Sequence, residues 1–228
     1  MGTEGTSREA ARAGRAQRGS RHYNRCAMVL PPAAELEGKC VLDLECRGGL
    51  GAFKLAELVG KRGFVIGLDS SPAHIEKAIA HAPEQHWAGA RWRDHLHLAV
   101  ARPDNLRVAG VEGGSVDVAI INSVLNVVPD RAAALREIAC VLAPGGYLYL
   151  DALLAVEELP TELAARLALA GNAFGAAPTR ATLEEALRVA GFSRVACSDV
   201  APIRPEREDA DPALAPYAFA SAVVQAWV

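Results

Sequence analysis

From Cys40 onward, short apolar runs alternate with segments of helical spacing, and this rhythm constrains the fold more tightly than any other feature of the chain. Cys40-Val41-Leu42-Asp43-Leu44 is too short for a helix and is closed by a glycine-bearing turn, which predicts a first strand. Residues 50–60 place Leu50, Phe53, Leu55, Leu58 and Val59 at roughly helical spacing, with Gly60 as a stop. A second strand runs from Gly63 to Leu68 and ends at Asp69. Ser70-Ser71-Pro72 then offers a hydroxyl cap and a proline at the first helical position, opening a helix to about His81. Leu96–Val100 reads as the third strand. Val116–Ile121 is nearly continuous in apolar character, as expected of a fourth strand covered on both faces. A helix from Asp130 to Leu142, a turn at Ala143-Pro144-Gly145-Gly146 and a fifth strand at Tyr147–Leu150 follow. Strands joined by helical crossovers imply an α/β protein with a mostly parallel, Rossmann-like doubly wound sheet.

After Asp151 the rhythm changes. Helical segments are expected at about 161–171 and 182–190, the second opened by a capping box from Thr182 to Glu185. Strands near 194–200 and 218–227 close the chain around a polar, proline-bearing stretch at 201–216.

A chain of 228 residues buries one sizeable core, and 51% apolar with 22% charged residues is a globular balance. Net charge −3 gives no electrostatic reason to expect a nucleic-acid partner. The five cysteines are scattered without a C-x-x-C, which points to a reducing compartment and away from a disulfide framework or a structural zinc site. No apolar run spans a bilayer, so a cytoplasmic protein without a membrane partner or metal is expected. Residues 1–21 carry Arg8, Arg12, Arg15, Arg18 and Arg21 among small residues. A disordered tail is expected there, followed by one domain over 22–228. A transit peptide is argued against by Glu4 and Glu9, and the Gly2/Thr6 match to a myristoylation pattern is loose.

In an open α/β sheet a ligand sits at the carboxyl ends of the strands, beside the point where strand order reverses. After strand 1 comes Glu45-Cys46-Arg47-Gly48-Gly49-Leu50-Gly51, where glycines let backbone N–H groups approach a ligand at a helix N-terminus. Asp69 follows about 20 residues on, where a carboxylate can accept from ribose hydroxyls, with Ser70 beside it. Asp104 follows strand 3 and Asn122 ends strand 4, facing the same crevice. Each has a plainer role available: a turn, a cap, or a bond to loop backbone. Their order after consecutive strands favours a binding site.

These residues also carry a resemblance. Val41-Leu42-Asp43-Leu44, Gly67-Leu68-Asp69 and Leu142-Ala143-Pro144-Gly145-Gly146-Tyr147-Leu148 resemble the motifs of class I S-adenosylmethionine (SAM) methyltransferases. More narrowly, Asn122-Ser123-Val124-Leu125-Asn126-Val127-Val128-Pro129-Asp130 is similar to the strand 4 segment of arsenite methyltransferases. His22–Cys26, Leu58–Gly63, Gly171–Ala176 and Phe219–Ala222 extend the likeness over about residues 22–228. The family's N-terminal extension and C-terminal domain find no counterpart. The resemblance implies a class I methyltransferase fold with an antiparallel C-terminal strand, SAM as cofactor and a small-molecule acceptor. It further implies that Asp43, Glu45, Arg47, Gly48 and Gly49 hold the methionine end of SAM. Asp69 with Ser70 would hold the ribose, Asp104 would lie by the adenine and Asn122 near the sulfonium. Cys26, Ser123 and Ala173 would stand at the acceptor positions. No catalytic base is implied; positioning and desolvation would carry the reaction.

Two departures bear on function. The family loop has glycine where this chain has Glu45 and Arg47, which demand backbone conformations that glycine tolerates better. Arg47 could pair with the cofactor carboxylate, or Glu45 with its amino group. A register shifted to Glu45, Gly49 and Gly51 would misplace the following helix. Arsenite methyltransferases hold trivalent arsenic with thiolates, and here only Cys26 keeps such a position; Ser123 and Ala173 replace the others. Cys46 lies in the loop, and Cys40 and Cys140 are expected to be buried. The expectation is therefore a SAM-dependent methyltransferase acting on a small molecule. A catalytically silent binding domain and a residual arsenite methyltransferase are the alternatives. A nicotinamide-dependent dehydrogenase fits badly, since the loop departs from G-x-G-x-x-G and no Tyr-x-x-x-Lys follows.

Overall fold

The computed structural model describes residues 28–82, 95–122, 124–205 and 210–228. Its strands are β1 (Cys40–Leu44), β2 (Phe64–Asp69), β3 (Leu96–Val100), β4 (Val116–Asn122), β5 (Leu142–Ala155), β6 (Arg194–Ile203) and β7 (Phe219–Trp227). They form one sheet in the order β3-β2-β1-β4-β5-β7-β6. The first five lie parallel, and β7 runs antiparallel between β5 and β6. This is the doubly wound architecture expected from the alternation, with its reversal of order between β1 and β4.

The helices are α1 (Ala33–Leu36), α2 (Leu50–Val59), α3 (Pro72–His81), α4 (Arg131–Val141), α5 (Thr161–Leu169) and α6 (Arg180–Ala190). Alternate residues of each strand face opposite sides. Leu42, Leu44, Ile121, Leu148 and Leu150 therefore pack with Leu135 and Ile138 of α4 and Leu187 of α6. Val41, Val65, Val118 and Ile120 pack instead with Phe53, Leu55 and Val59 of α2. Each such fully buried side chain contributes about 1.5–3 kcal/mol. A third, smaller cluster joins Leu153, Leu167, Phe174 and Phe219 beyond the end of the central sheet, with the Phe174 and Phe219 rings meeting edge to face at 4.9 Å. This parity places Asp43, the residue between Leu42 and Leu44, on the α2 face.

Several element boundaries differ from those expected. The Ala143–Gly146 segment is not a free turn: β5 starts at Leu142, which pairs with Val116, and the register shifts before Val118 meets Tyr147. Gly145, at φ +79°, absorbs the irregularity inside the strand. Helix α6 opens at Arg180, with Thr179 as its cap rather than Thr182. The Thr179 hydroxyl accepts from the Thr182 N–H at 3.2 Å, and Glu158 accepts from both threonine hydroxyls. Ser71 stands at the start of α3 with Pro72 at the first position, yet its hydroxyl makes no capping bond. The Asp69 carboxylate accepts from the Ser71 N–H instead. Cys140 is exposed and Cys40 only half-buried. The buried stripe of α4 runs through Ala134, Leu135, Ile138 and Val141, and position 140 falls off it.

Candidate functional site

The loop from Glu45 to Gly49 lies at the carboxyl end of β1, beside the reversal point of the sheet. It is held by Cys46 N–H donating to the Leu68 carbonyl and Gly49 N–H donating to the Cys46 carbonyl, both at 2.9 Å. Glu45 and Arg47 sit at φ +55° and +52°, the left-handed region, at a cost of roughly 1–2 kcal/mol each for residues with a Cβ. Gly49, at φ +78°, precedes α2. A Cβ there would lie 2.8 Å from the Ala78 Cβ and 2.9 Å from the Phe53 ring. The α2 N-terminus thus begins where the unshifted loop register requires.

Asp43 is buried, and its Oδ2 has no hydrogen-bond partner among the described residues. A Cβ on Gly51, in the first turn of α2, would come within 2.9 Å of that oxygen and 3.4 Å of the Met28 Sδ. Burial, reinforced by Asp69, pushes the Asp43 carboxyl up to about 7. An orphaned carboxylate oxygen facing a helix start, over a glycine with no space for a side chain, suits a small donor-bearing or cationic group.

Asp69 is fully buried at the end of β2. Its Oδ2 accepts from the Arg47 N–H at 2.7 Å, and its Oδ1 accepts from the Ser71 N–H at 2.8 Å and lies 2.9 Å from His74 Nδ1. The Ser70 hydroxyl donates to Glu45 Oε2 at 3.1 Å, bridging the loops after β1 and β2. Burial and then Asp69 raise the Glu45 carboxyl. Burial and then Asp43 raise the Cys46 thiol, which is therefore held protonated. Gly48 lies under the aliphatic stem of Lys77.

Asp104 is engaged bidentately by Arg102, at 2.9 and 2.6 Å, a pairing that lowers its carboxyl below the usual range. Asn122 Oδ1 accepts from the Val29 N–H at 3.3 Å, so the segment before β1 crosses the end of β4. Ala173 is buried in the small third cluster, and its carbonyl accepts from Asn126 Nδ2 at 3.4 Å. Cys26 and Ser123 lie outside the described residues. The β1 and β2 ends thus bring Asp43, Glu45, Arg47 and Asp69 with Ser70 together. Asp104 and Asn122 flank them with partners of their own. His74 was not anticipated. It occupies the third position of α3, whose side chain points back toward the helix start. A polar residue there, after an acid that ends a strand, was its available signal.

This fold is that of the class I methyltransferases, whose cofactor is SAM. A model of the methyltransferase domain matches residues 35–191, and the chain belongs to that family. Within it the chain lies near the arsenite methyltransferases. It is 34% identical over 161 residues to the arsenite methyltransferase of Mus musculus, covering 69% of this chain and 41% of that protein. It is also 34% identical over 178 residues to that of Aquipseudomonas alcaligenes, covering 76% and 49%. The crystal structure of the arsenic(III) S-adenosylmethionine methyltransferase of Chlamydomonas reinhardtii superposes with a TM-score of 0.78 at 27% identity, over 95% of this chain and 72% of that one. The chain spans less than half the length of the two curated relatives. Among the described residues no helix is long and apolar enough to cross a membrane.

Proposed function

We propose that this chain transfers a methyl group from SAM to a small-molecule acceptor other than arsenite. The observation that carries the cofactor assignment is Asp43 Oδ2, buried over Gly51 without a partner among the described residues. The residues present fit the cofactor at this end: Asp43 and the loop through Gly48 and Gly49 would hold the amino-acid portion. Asp69 with Ser70 would meet the ribose, Asp104 would lie beside the base, and Asn122 would face the reacting end. When bound, SAM supplies an electrophilic methyl group on a sulfonium. The chain's own contribution is to orient and to exclude water. Asn122 is fixed by Val29, and Met28 closes over Gly51, so the segment before β1 covers the side from which an acceptor would approach.

Against arsenite stand the acceptor positions. Ala173 presents only a methyl group, packed into the third cluster. Ser123 brings a hard hydroxyl, and the Cys46 thiol is held protonated. A protein built for three-thiolate capture needs more than Cys26.

One observation favours a second reading, a methyltransferase-like domain that has given up the cofactor: every oxygen of Asp69 is already engaged by the protein. A thermal-unfolding titration separates the two. SAM or S-adenosylhomocysteine at a hundredfold over Kd should stabilise the fold by roughly 2.7 kcal/mol, and Asp69→Ala should abolish the effect. No shift at millimolar ligand establishes the silent domain. Arsenite offered with SAM should yield no methylated arsenic; turnover of arsenite by the unmodified protein would overturn the acceptor assignment.

A further inference from the structure

The carboxylate placed to receive a ribose is already satisfied from within the chain. Asp69 is fully buried, and three protein groups meet its two oxygens: the Arg47 N–H, the Ser71 N–H and the His74 ring. The Ser71 bond belongs to the start of α3 and holds that helix in place whether or not a ligand is present. The other two come from the backbone of a strained loop and from a half-exposed imidazole. Beside them the Glu45 side chain spans from the β1 loop to the Ser70 hydroxyl after β2. A nucleoside seated on Asp69 passes between those same two loops. His74 therefore stands on Asp69 where a ligand hydroxyl would, and the Glu45–Ser70 bridge closes the gap between the two loops.

Resting on the cofactor assignment above, we infer that Glu45 and His74 form an internal latch over Asp69, a stand-in for the nucleoside, which the cofactor must displace in order to bind. Both are affinity-determining residues rather than catalytic ones. The latch is set by exchange: the His74 contact on the buried carboxylate is given up for a ligand hydroxyl, and the Glu45–Ser70 bond is given up for passage between the loops. Binding is accordingly weaker than the same crevice could deliver, and entry waits for the Glu45–Ser70 bridge to open. Backbone strain at Glu45 acts in the same direction, because a residue held at φ +55° returns readily to an ordinary conformation once its side chain is released.

The test is the affinity of S-adenosylhomocysteine, which is not consumed, measured by calorimetry on the full chain and on Glu45→Ala, His74→Ala and the double variant. Glu45→Ala removes the carboxylate but keeps a Cβ in the strained position, separating the bridge from the strain. Each single change should tighten binding several-fold and the double change by about tenfold or more, a tenfold gain corresponding to about 1.4 kcal/mol. The association rate should rise with them. If the variants bind as the parent does, or more weakly, Glu45 and His74 are bystanders or ligands and the latch is overturned while the cofactor assignment stands. If neither parent nor variants bind at millimolar ligand, the cofactor assignment fails and the latch fails with it. His74→Gln serves as a second variant should the alanine protein not fold. It keeps a donor near Asp69 and should bind more weakly than His74→Ala; equal affinity overturns the role of the ring contact.

Discussion

At the scale of single residues, the site is defined by acids with opposite needs. Among the described residues, Asp69 is buried with three partners, while Asp43 is buried with an oxygen that has none. For Asp43 the consequence is a linkage between pH and stability. Its carboxyl titrates at about 7 in the fold, above the ordinary carboxylate range it has when unfolded. Between about pH 4 and pH 7 the folded protein therefore keeps a proton that the unfolded chain releases, and this group weakens the fold as pH rises through that window. The full effect is on the order of 4 kcal/mol, present above pH 7 and absent below pH 4. Asp43→Asn should raise the melting temperature at pH 8 and change it little at pH 4; equal shifts at both would mean that Asp43 is not titrating there. Backbone conformation gives a second residue-scale expectation. Gly49→Ala should cost about 2–4 kcal/mol, from left-handed strain together with overpacking against Ala78 and Phe53. Arg47→Gly, at φ +52°, should gain about 1 kcal/mol. Urea unfolding of the two variants should show opposite signs.

At the scale of elements, most of the fold was legible in the sequence, and where it was not, a distant side chain had decided the matter. The cores of β1 to β5 are short apolar runs between turn residues, a signal each segment carries within itself. Their ends are set by tertiary bonds that no local pattern reveals. Thr179 and Thr182 are both plausible caps, three residues apart on the chain. Thr179 stands at the helix start, while Glu158, from beyond β5, holds both hydroxyls. Thr179→Ala should accordingly cost about 1 kcal/mol, the usual worth of a cap, and Thr182→Ala less, since the backbone N–H at position 182 that donates to the Thr179 hydroxyl survives the change. Equal losses in urea unfolding would mean that the helix starts where the sequence pattern suggested. The geometry of the candidate site was legible to a similar extent. Asp43, Asp69 and the glycines follow from strand ends, which periodicity locates. His74, the Arg102–Asp104 pair and the burial of Ala173 depend on how helices and loops pack, and only the strain at Glu45 and Arg47 could be anticipated, from the absence of glycine.

At the scale of the molecule, chemistry and packing are divided along the sheet. The groups proposed to face the cofactor come from β1, β2 and the starts of α2 and α3, in the half where all strands run parallel. The antiparallel β6–β7 pair and the third cluster support the opposite half, and β7 joins the two through nine paired positions on β5. A ligand held at Asp43 and Asp69 therefore ties down two loops and two helix starts without touching β6. Hydrogen exchange reads this division, because local openings report only on the segment that opens, whereas global unfolding reports on all. With saturating S-adenosylhomocysteine, amides of residues 45–53 and 70–75 should slow well beyond those of 194–203, which should slow only where they exchange through global unfolding. Uniform slowing across both halves would indicate general stabilisation without a localised site. Slowing concentrated in 194–203 would place the ligand on the wrong side of the molecule for Asp43 and Asp69 to hold it.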